Sequence, residues 1–292
     1  MSTQITTAFV QQYGANVLML AQQKGSKLRD KVRVETVNGK NMFIDQVGAT
    51  AARRRTTRHA DTPQIDTPHA RRMLSVYDWE WADLIDQEDK VRTLTDPTNS
   101  YAMSGAMALG RAMDEVIVDA IRGTNYTGET GTTSVPLPSA QKIATGSGGL
   151  TIVKLNEAKK RLDLADVDPE GRYLACTATQ IQNLLNTTQV TSADYNTVKA
   201  LVQGTLDTFL GFTFGPVNGL RSDGTRILPI STTTRYCVAW QRECVALGIG
   251  ADMKARITER ADKNYSTQVF NAMTIGATRV QEVGVLEIAC TE

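Results

Sequence analysis

The sequence predicts an α+β fold, with helices and long antiparallel strands in separate blocks. Three observations carry that expectation. A stretch from about 97 to 122 keeps helical periodicity well beyond the usual three turns. The region after it alternates short helical and strand patterns, and the C-terminal third is dominated by strand patterns.

Taken in order, the chain opens with Phe9, Val10, Tyr13, Val17, Leu20 and Ala21 at three- and four-residue steps, which predicts a short amphipathic helix from Thr7 to Lys24. Its other face is neutral and Gln-rich, so it is expected to pack on protein instead of lipid. Val32 and Val34 alternate with polar residues, Asn38-Gly39 supplies positive φ angles, and Met42, Phe43 and Ile44 follow, which predicts a hairpin. From Ala49 to Arg72 large apolar residues all but vanish, while two prolines, both histidines and Arg53, Arg54, Arg55, Arg58, Arg71 and Arg72 accumulate. Such a segment cannot bury a core of its own. Structureless stretches beyond about 12 to 15 residues are uncommon in compact domains, so an excursion that finds its partners on another molecule is expected, with a solvated loop as the alternative.

Asp96-Pro97 marks the start of the long helix, because Asp accepts orphan N–H groups and Pro suits the first turn. Gly123 ends it. Met103, Ala106, Met107, Gly110, Met113, Ile117, Ala120 and Ile121 form one face, whose small residues would let a sheet approach closely. Residues 125–149 read as a Gly-, Thr-, Ser- and Pro-rich connector. A helix through Leu155, Ala158 and Leu162, a strand over Arg172–Cys176, and a helix through Ile181, Leu184 and Leu185 follow, the last launched by capping-box spacing at Thr177–Gln180. Another short helix, through Val198, Leu201 and Val202, ends at Gly204. The remainder reads as strands over Phe212–Val217, Arg226–Ile230, Tyr236–Trp240, Lys254–Glu259 and Thr278–Ile288, with a short helix near Glu243–Leu247.

Composition excludes several functional classes. With 32 Lys plus Arg against 31 Asp plus Glu, the whole chain exerts no net pull on nucleic acid or anionic membrane, so any such pull must come from local clusters. No stretch approaches the roughly 20 apolar residues that span a bilayer, and the N-terminus lacks a signal-peptide pattern, so no membrane partner is expected. Cys176, Cys237, Cys244 and Cys290 are scattered among apolar neighbours without metal-binding spacing, and are expected to be buried, reduced thiols. The Gly-rich stretches at 128–131 and 146–149 lack the lysine and flanking elements of a phosphate loop, and no hydrolase or metalloprotease signature is present. His59, Asp61, Asp66 and His69 have the chemistry of metal ligands, but no rigid element fixes them and the adjacent arginines repel a cation. No catalytic residue, metal ligand or cofactor is assigned, and an enzyme is not expected.

The acidic run from Asp78 to Asp89 reads less as paired catalytic carboxylates than as a polar strand and turn that meets arginines of a neighbouring subunit, with Asp83, Asp86, Glu88 and Asp89 as the acidic partners. The arginine cluster has two functional readings: neutralising phosphates, or forked hydrogen bonds to carboxylates across a subunit interface. Asp61, Asp66 and the two prolines favour the interface.

These elements in this order resemble the major capsid proteins of tailed double-stranded DNA bacteriophages with the Hong Kong 97-like fold. The resemblance rests on Arg58-His59-Ala60-Asp61-Thr62-Pro63, His69-Ala70-Arg71-Arg72, the Asp86-to-Asp89 turn before the long helix, Arg172-Tyr173-Leu174-Ala175-Cys176-Thr177, and Ile257-Thr258-Glu259-Arg260 with Asp262-Lys263-Asn264-Tyr265. It covers nearly the whole chain. It implies an N-terminal arm over 1–31, an extended loop over 32–80 that reaches across an adjacent subunit, a peripheral domain with a long spine helix over 81–164, an axial domain over 165–250, and C-terminal strands over 251–292 that return to the peripheral domain. It further implies pentamers and hexamers closing into an icosahedral shell around double-stranded DNA held non-specifically on the inner surface. The virion would be assembled in the bacterial cytoplasm, with scaffolding, portal and cement proteins as further partners. The family's lysine–asparagine crosslink is not expected, since no Lys lies between Asn41 and Lys90, and the scaffold is expected to be a separate protein because no long helical prefix precedes the arm. Two alternatives stay open: an encapsulin-like cargo compartment, and a nucleic-acid-binding protein that uses the Arg53–Arg72 cluster.

Overall fold

The computed structural model describes residues 22–59, 61–62, 64–86, 98–146, 148–186 and 208–292. Its helices are α1 (Thr98–Arg122), α2 (Ile152–Leu164) and α3 (Ala178–Leu185). The strands of the first half are β1 (Arg33–Thr36), β2 (Asn41–Val47), β3 (His69–Ser75), β4 (Tyr77–Ile85), β5 (Asn125–Thr127), β6 (Thr133–Val135), β7 (Lys142–Ile143) and β8 (Arg172–Cys176). Those of the second half are β9 (Thr208–Phe209), β10 (Phe212–Pro216), β11 (Ile230–Ser231), β12 (Thr234–Gln241), β13 (Val245–Arg260), β14 (Ser266–Arg279) and β15 (Val285–Thr291). The expected helices near 7–24 and 198–204 fall mostly or wholly outside the described residues, as do Asp96 and Pro97; Gln22 to Lys24 are irregular.

Three sheets share these strands. The first runs β1-β13-β14-β4, the second β7-β15-β12-β8-β10-β9 with β11 on β12, and the third β2-β3-β5-β6. The second sheet is buried on both faces, and its period-2 alternation splits accordingly. Trp240, Val238 and Val285 face a core shared with α1, whereas Cys237, Ala239, Leu286 and Ile288 face α2 and α3 through Leu155, Ala158, Leu162 and Leu184. The pairings are not all antiparallel: β1 with β13, β8 with β10 and β7 with β15 are parallel.

The expected span of the long helix matches α1, which stops where the Gly123 N–H donates to Asp119 O at 2.7 Å. Its seat on the first sheet follows from one residue. Gly105 is buried against Trp81 and Asn271, and a Cβ there would overlap both side chains. The sheet does approach closely, but along a line of Gly105, Leu109, Met113, Ile117 and Ile121, not the Met103 face, and Met103 is 55% exposed.

Several local expectations yield to longer-range partners. The predicted hairpin is not one: Gly39 has φ +105°, yet β1 pairs with β13 in the first sheet while β2 pairs with β3 in the third. Val37, 2% exposed, donates its N–H to Ile249 O at 3.0 Å and holds β1 on that course. The 125–149 connector contains the β5–β6 hairpin, which adds to β3 through Arg72 opposite Thr127. Thr177 makes no capping bond; Gln180 Oε1 instead accepts from Leu150 N at 2.8 Å. The predicted strand over 278–288 divides at 280–284, because Val280 N–H and Gln281 N–H both turn to Cys244 O. Arg226–Ile230 forms only an isolated bridge from Arg226 to Leu220 and the start of β11. The short helix near 243 is a single 3-10 turn, Arg242–Cys244, after which β13 begins.

Replacing Gly105 with Leu is expected to lower subunit stability by about 3 kcal/mol or more, since the helix cannot lift without losing its core. Met103→Leu, on the exposed side of the same helix, should change it by less than about 0.5 kcal/mol. Urea unfolding of the unassembled subunits measures both.

Candidate inter-subunit surface

β2 and β3 carry a strap of chain outward, closed at its neck by the Gly48 N–H donating to Pro68 O at 2.8 Å. Between these residues no helix or strand forms among the described residues, and every described side chain is exposed. The cause is compositional: Ile65 is the lone large aliphatic residue between Gly48 and Pro68, and it is 45% exposed. Arg53, Arg54, Arg55 and Arg58 stand on this strap, and among the described residues none forms an ion pair. Arg55 Nε donates only to the Thr57 carbonyl, at 3.1 Å. The strap curls round an open hollow of ≈ 700 Å³ lined by Arg53, Arg54, Arg55, Asp61, Thr62 and Ile65. His59, Asp61, Asp66 and His69 are exposed, and among the described residues no cluster of three or more such groups is placed to hold a metal ion.

Arg71 and Arg72 do not belong with the other four. Both lie in β3, where alternation sends successive side chains to opposite faces. Arg71 remains half-exposed, pairs with Asp45 at 2.6 Å and lies 5.5 Å from the centre of the Phe43 ring. Arg72 corrects the expectation of an inter-subunit contact, because it is 5% exposed and pairs with Glu282 of its own chain at 2.6 Å. Glu282 also lies 3.9 Å from Arg279 Nε. Arg279 is fully buried, and its guanidinium donates to Ile121 O at 2.8 Å, Gly123 O at 3.0 Å and Val135 O at 2.9 Å. A cation is favoured there by the unpaired carbonyls at the C-terminus of α1. Arg72, Glu282 and Arg279 thus tie the root of the strap to the end of the long helix.

The acidic expectation divides in the same way. β4 places Asp78 and Glu80 on one face and Asp83 on the other, alongside Trp79 and Trp81. All three acids are exposed, and none pairs with an arginine of its own chain among the described residues. Asp86 accepts from Ser266 Oγ at 2.5 Å, so it is engaged within the subunit. Glu88 and Asp89 lie outside the described residues.

Sequence reasoning missed the two buried acids of α1. Glu115 accepts from Ser222 N at 2.9 Å and lies 3.4 Å from Arg221, pinning the 218–227 turn to the helix. Asp114, fully buried, holds the opposite side. An apolar period cannot reveal either, although two adjacent acids inside a core-facing helix are a signal worth following. The cysteines are all buried and free, as expected, and burial pushes the thiols of Cys176 and Cys244 up to about 12, which makes them poor nucleophiles.

Three comparisons bear on these surfaces. The phage capsid protein family matches residues 5–292. No curated protein matches by sequence. Among solved structures, the capsid of cyanophage P-SCSP1u aligns with TM-score 0.73 at 17% identity, covering 99% of this chain and 94% of that one. The capsid of Ralstonia phage GP4 gives 0.71 at 11% identity, with 97% and 95% covered. The acid-stable capsid of Helicobacter pylori bacteriophage KHP30 gives 0.72 at 9% identity, with 100% and 97% covered. The Hong Kong 97-like fold is shared across the full length, and the protein is structural, not enzymatic. With the fold in place and the family match spanning all but the first four residues, the chain belongs to the phage capsid protein family.

Proposed function

We propose that this chain is the major capsid protein of a tailed phage, assembling as hexamers and pentamers into an icosahedral shell around double-stranded DNA. The observation that carries the reading is the strap between Gly48 and Pro68, where Arg53, Arg54, Arg55 and Arg58 are exposed without a carboxylate of their own chain. Its partners would be acids on an adjacent subunit, and Asp78, Glu80 and Asp83 on β4 are exposed and available. Each exposed pair is worth only about 0 to 1 kcal/mol. A shell gains from many such contacts made at once, because every contact raises the effective concentration of the next.

The layout follows the expected divisions with two adjustments. The N-terminal arm would cover 1–31 and the extended loop 32–80, although β1 joins the first sheet and leaves the free strap to 48–68. The peripheral domain would be built on α1 and the first sheet, with 251–292 returning to it through β14. The axial domain would centre on the second sheet, and because α2 packs on that sheet its start moves ahead of Ile152. DNA would be held non-specifically, with scaffolding, portal and cement proteins as separate partners, in a virion assembled in the host cytoplasm. The rival nucleic-acid reading weakens because Arg71 and Arg72 are already paired with Asp45 and Glu282. A cargo compartment on the same fold would differ in what its particles enclose.

Negative-stain microscopy of the expressed protein should show closed, regular particles. A variant with Arg53, Arg54, Arg55 and Arg58 all replaced by Ala should remain folded by circular dichroism but fail to close shells; normal particles from it would overturn the reading. Arg72→Ala should act differently, lowering subunit stability by about 3 kcal/mol because it strands a largely buried Glu282. Denaturant unfolding of the unassembled subunit measures that loss.

A further inference from the structure

The middle of α1 carries a feature that shell geometry does not explain. Asp114 is fully buried, and four donor groups from one short segment converge on its carboxylate. Gln23 Nε2 and Ser26 Oγ each donate at 2.5 Å, Lys27 N–H donates to both oxygens at 3.1 Å, and Leu28 N–H donates at 3.0 Å. Gly110, one turn earlier, lets the segment lie directly on the helix: a Cβ there would sit 2.6 Å from Gly25. Only acceptor lone pairs satisfy this arrangement, and a protonated carboxyl turns one of them into a donor facing donors.

No cation holds the charge in place. Among the described residues neither Lys nor Arg forms an ion pair with Asp114. Lys27 Nζ is spent on Pro216 O at 2.8 Å, Lys31 sits over the Tyr173 ring at 5.8 Å, and Arg111 donates to Gln22 Oε1 at 2.8 Å. The neighbouring acid, Glu115, is directed away to Arg221 and Ser222. Burial pushes the Asp114 carboxyl up, against the lowering effect of its hydrogen bonds.

We propose that Asp114 is a proton-operated clamp: ionised, it fastens Gln23 to Leu28 against the middle of α1, and on protonation it frees that segment while the rest of the subunit stays folded. The sign follows from linkage. A carboxyl whose pKa is raised in the folded state takes up its proton before exposed carboxylates do, as pH falls towards about 4. The folded state then binds more protons than the unfolded chain, so titration of this group does not itself favour global unfolding. Release should stop at Leu28, since Leu28 and Val32 are fully buried and Trp240 Nε1 donates to Lys31 O at 2.9 Å. The clamp would therefore set, by pH, whether the chain ahead of Gln23 leaves along α1 or swings free.

Hydrogen exchange read at single amides, in the full-length protein and with rates normalised for the intrinsic effect of pH, tests this directly. At neutral pH, Asp114→Asn should reduce the protection of the Lys27 and Leu28 amides by about tenfold or more, the scale of losing bonds to a charged acceptor. The wild type should show the same loss on acidification, while the Val37 amide, bonded to Ile249 O, keeps its protection. If the variant does not fold, the wild-type pH series decides alone. Lys27 and Leu28 amides that stay protected until Val37 opens with them would overturn the proposal.

Discussion

The seating of α1 on the first sheet is the constraint on which the remaining architecture depends. At 25 residues the helix is roughly 37 Å long, and it touches every other part of the subunit. Gly105 sets its height over Trp81 and Asn271. Once that height is fixed, Asp114 and Glu115, adjacent in sequence, reach two different partners: the segment leading in from the N-terminus and the turn at 218–227. At the far end, Arg279 closes off the helix carbonyls and, with Glu282 and Arg72, hands the position of the helix to the root of the strap. Raising the helix by the width of one methyl group would disturb all of these joints together.

Charge is divided between two roles by burial. Inside the subunit, charged groups are few and heavily bonded, as a low-dielectric interior demands. Asp114 has four donor groups and no cation, while Arg279 has three carbonyls and a distant carboxylate. On the strap the opposite holds, because Arg53, Arg54, Arg55 and Arg58 remain solvated and uncommitted within their own chain. Committed charges specify one subunit conformation, and uncommitted ones are left for an assembly to use. A protein with near-equal numbers of positive and negative residues can concentrate such groups locally without repelling its own copies.

What the sequence made legible was what local patterns control. The span of α1, the positions of α2, α3 and β8, and the cores of β10 and β12 follow from period, stops and β-branched runs, and all were found close to where they were expected. What it hid depends on distant partners. Asn38-Gly39 makes its turn, yet nothing nearby reveals that Val37 will bond to Ile249, more than two hundred residues on, and draw β1 away from β2. The Gly- and Thr-rich connector conceals β5 and β6 because they are stabilised by β3, not by each other alone. The strap was legible as a segment without a core, but its boundary was not: extending the arginine cluster through Arg72 overlooked the strand alternation that buries one arginine and exposes its neighbour. The acids suffered likewise, since β4 turns Asp78 and Glu80 one way and Asp83 the other.

A cryo-electron microscopy reconstruction of assembled particles, at a resolution that traces side chains, is the measurement that bears most directly on the central claim. The account predicts that the strap crosses onto an adjacent subunit and that its four arginines meet that subunit's carboxylates, while Arg72 stays with Glu282 at home. A strap folded back over its own subunit, or arginines directed only into solvent or DNA, would contradict it.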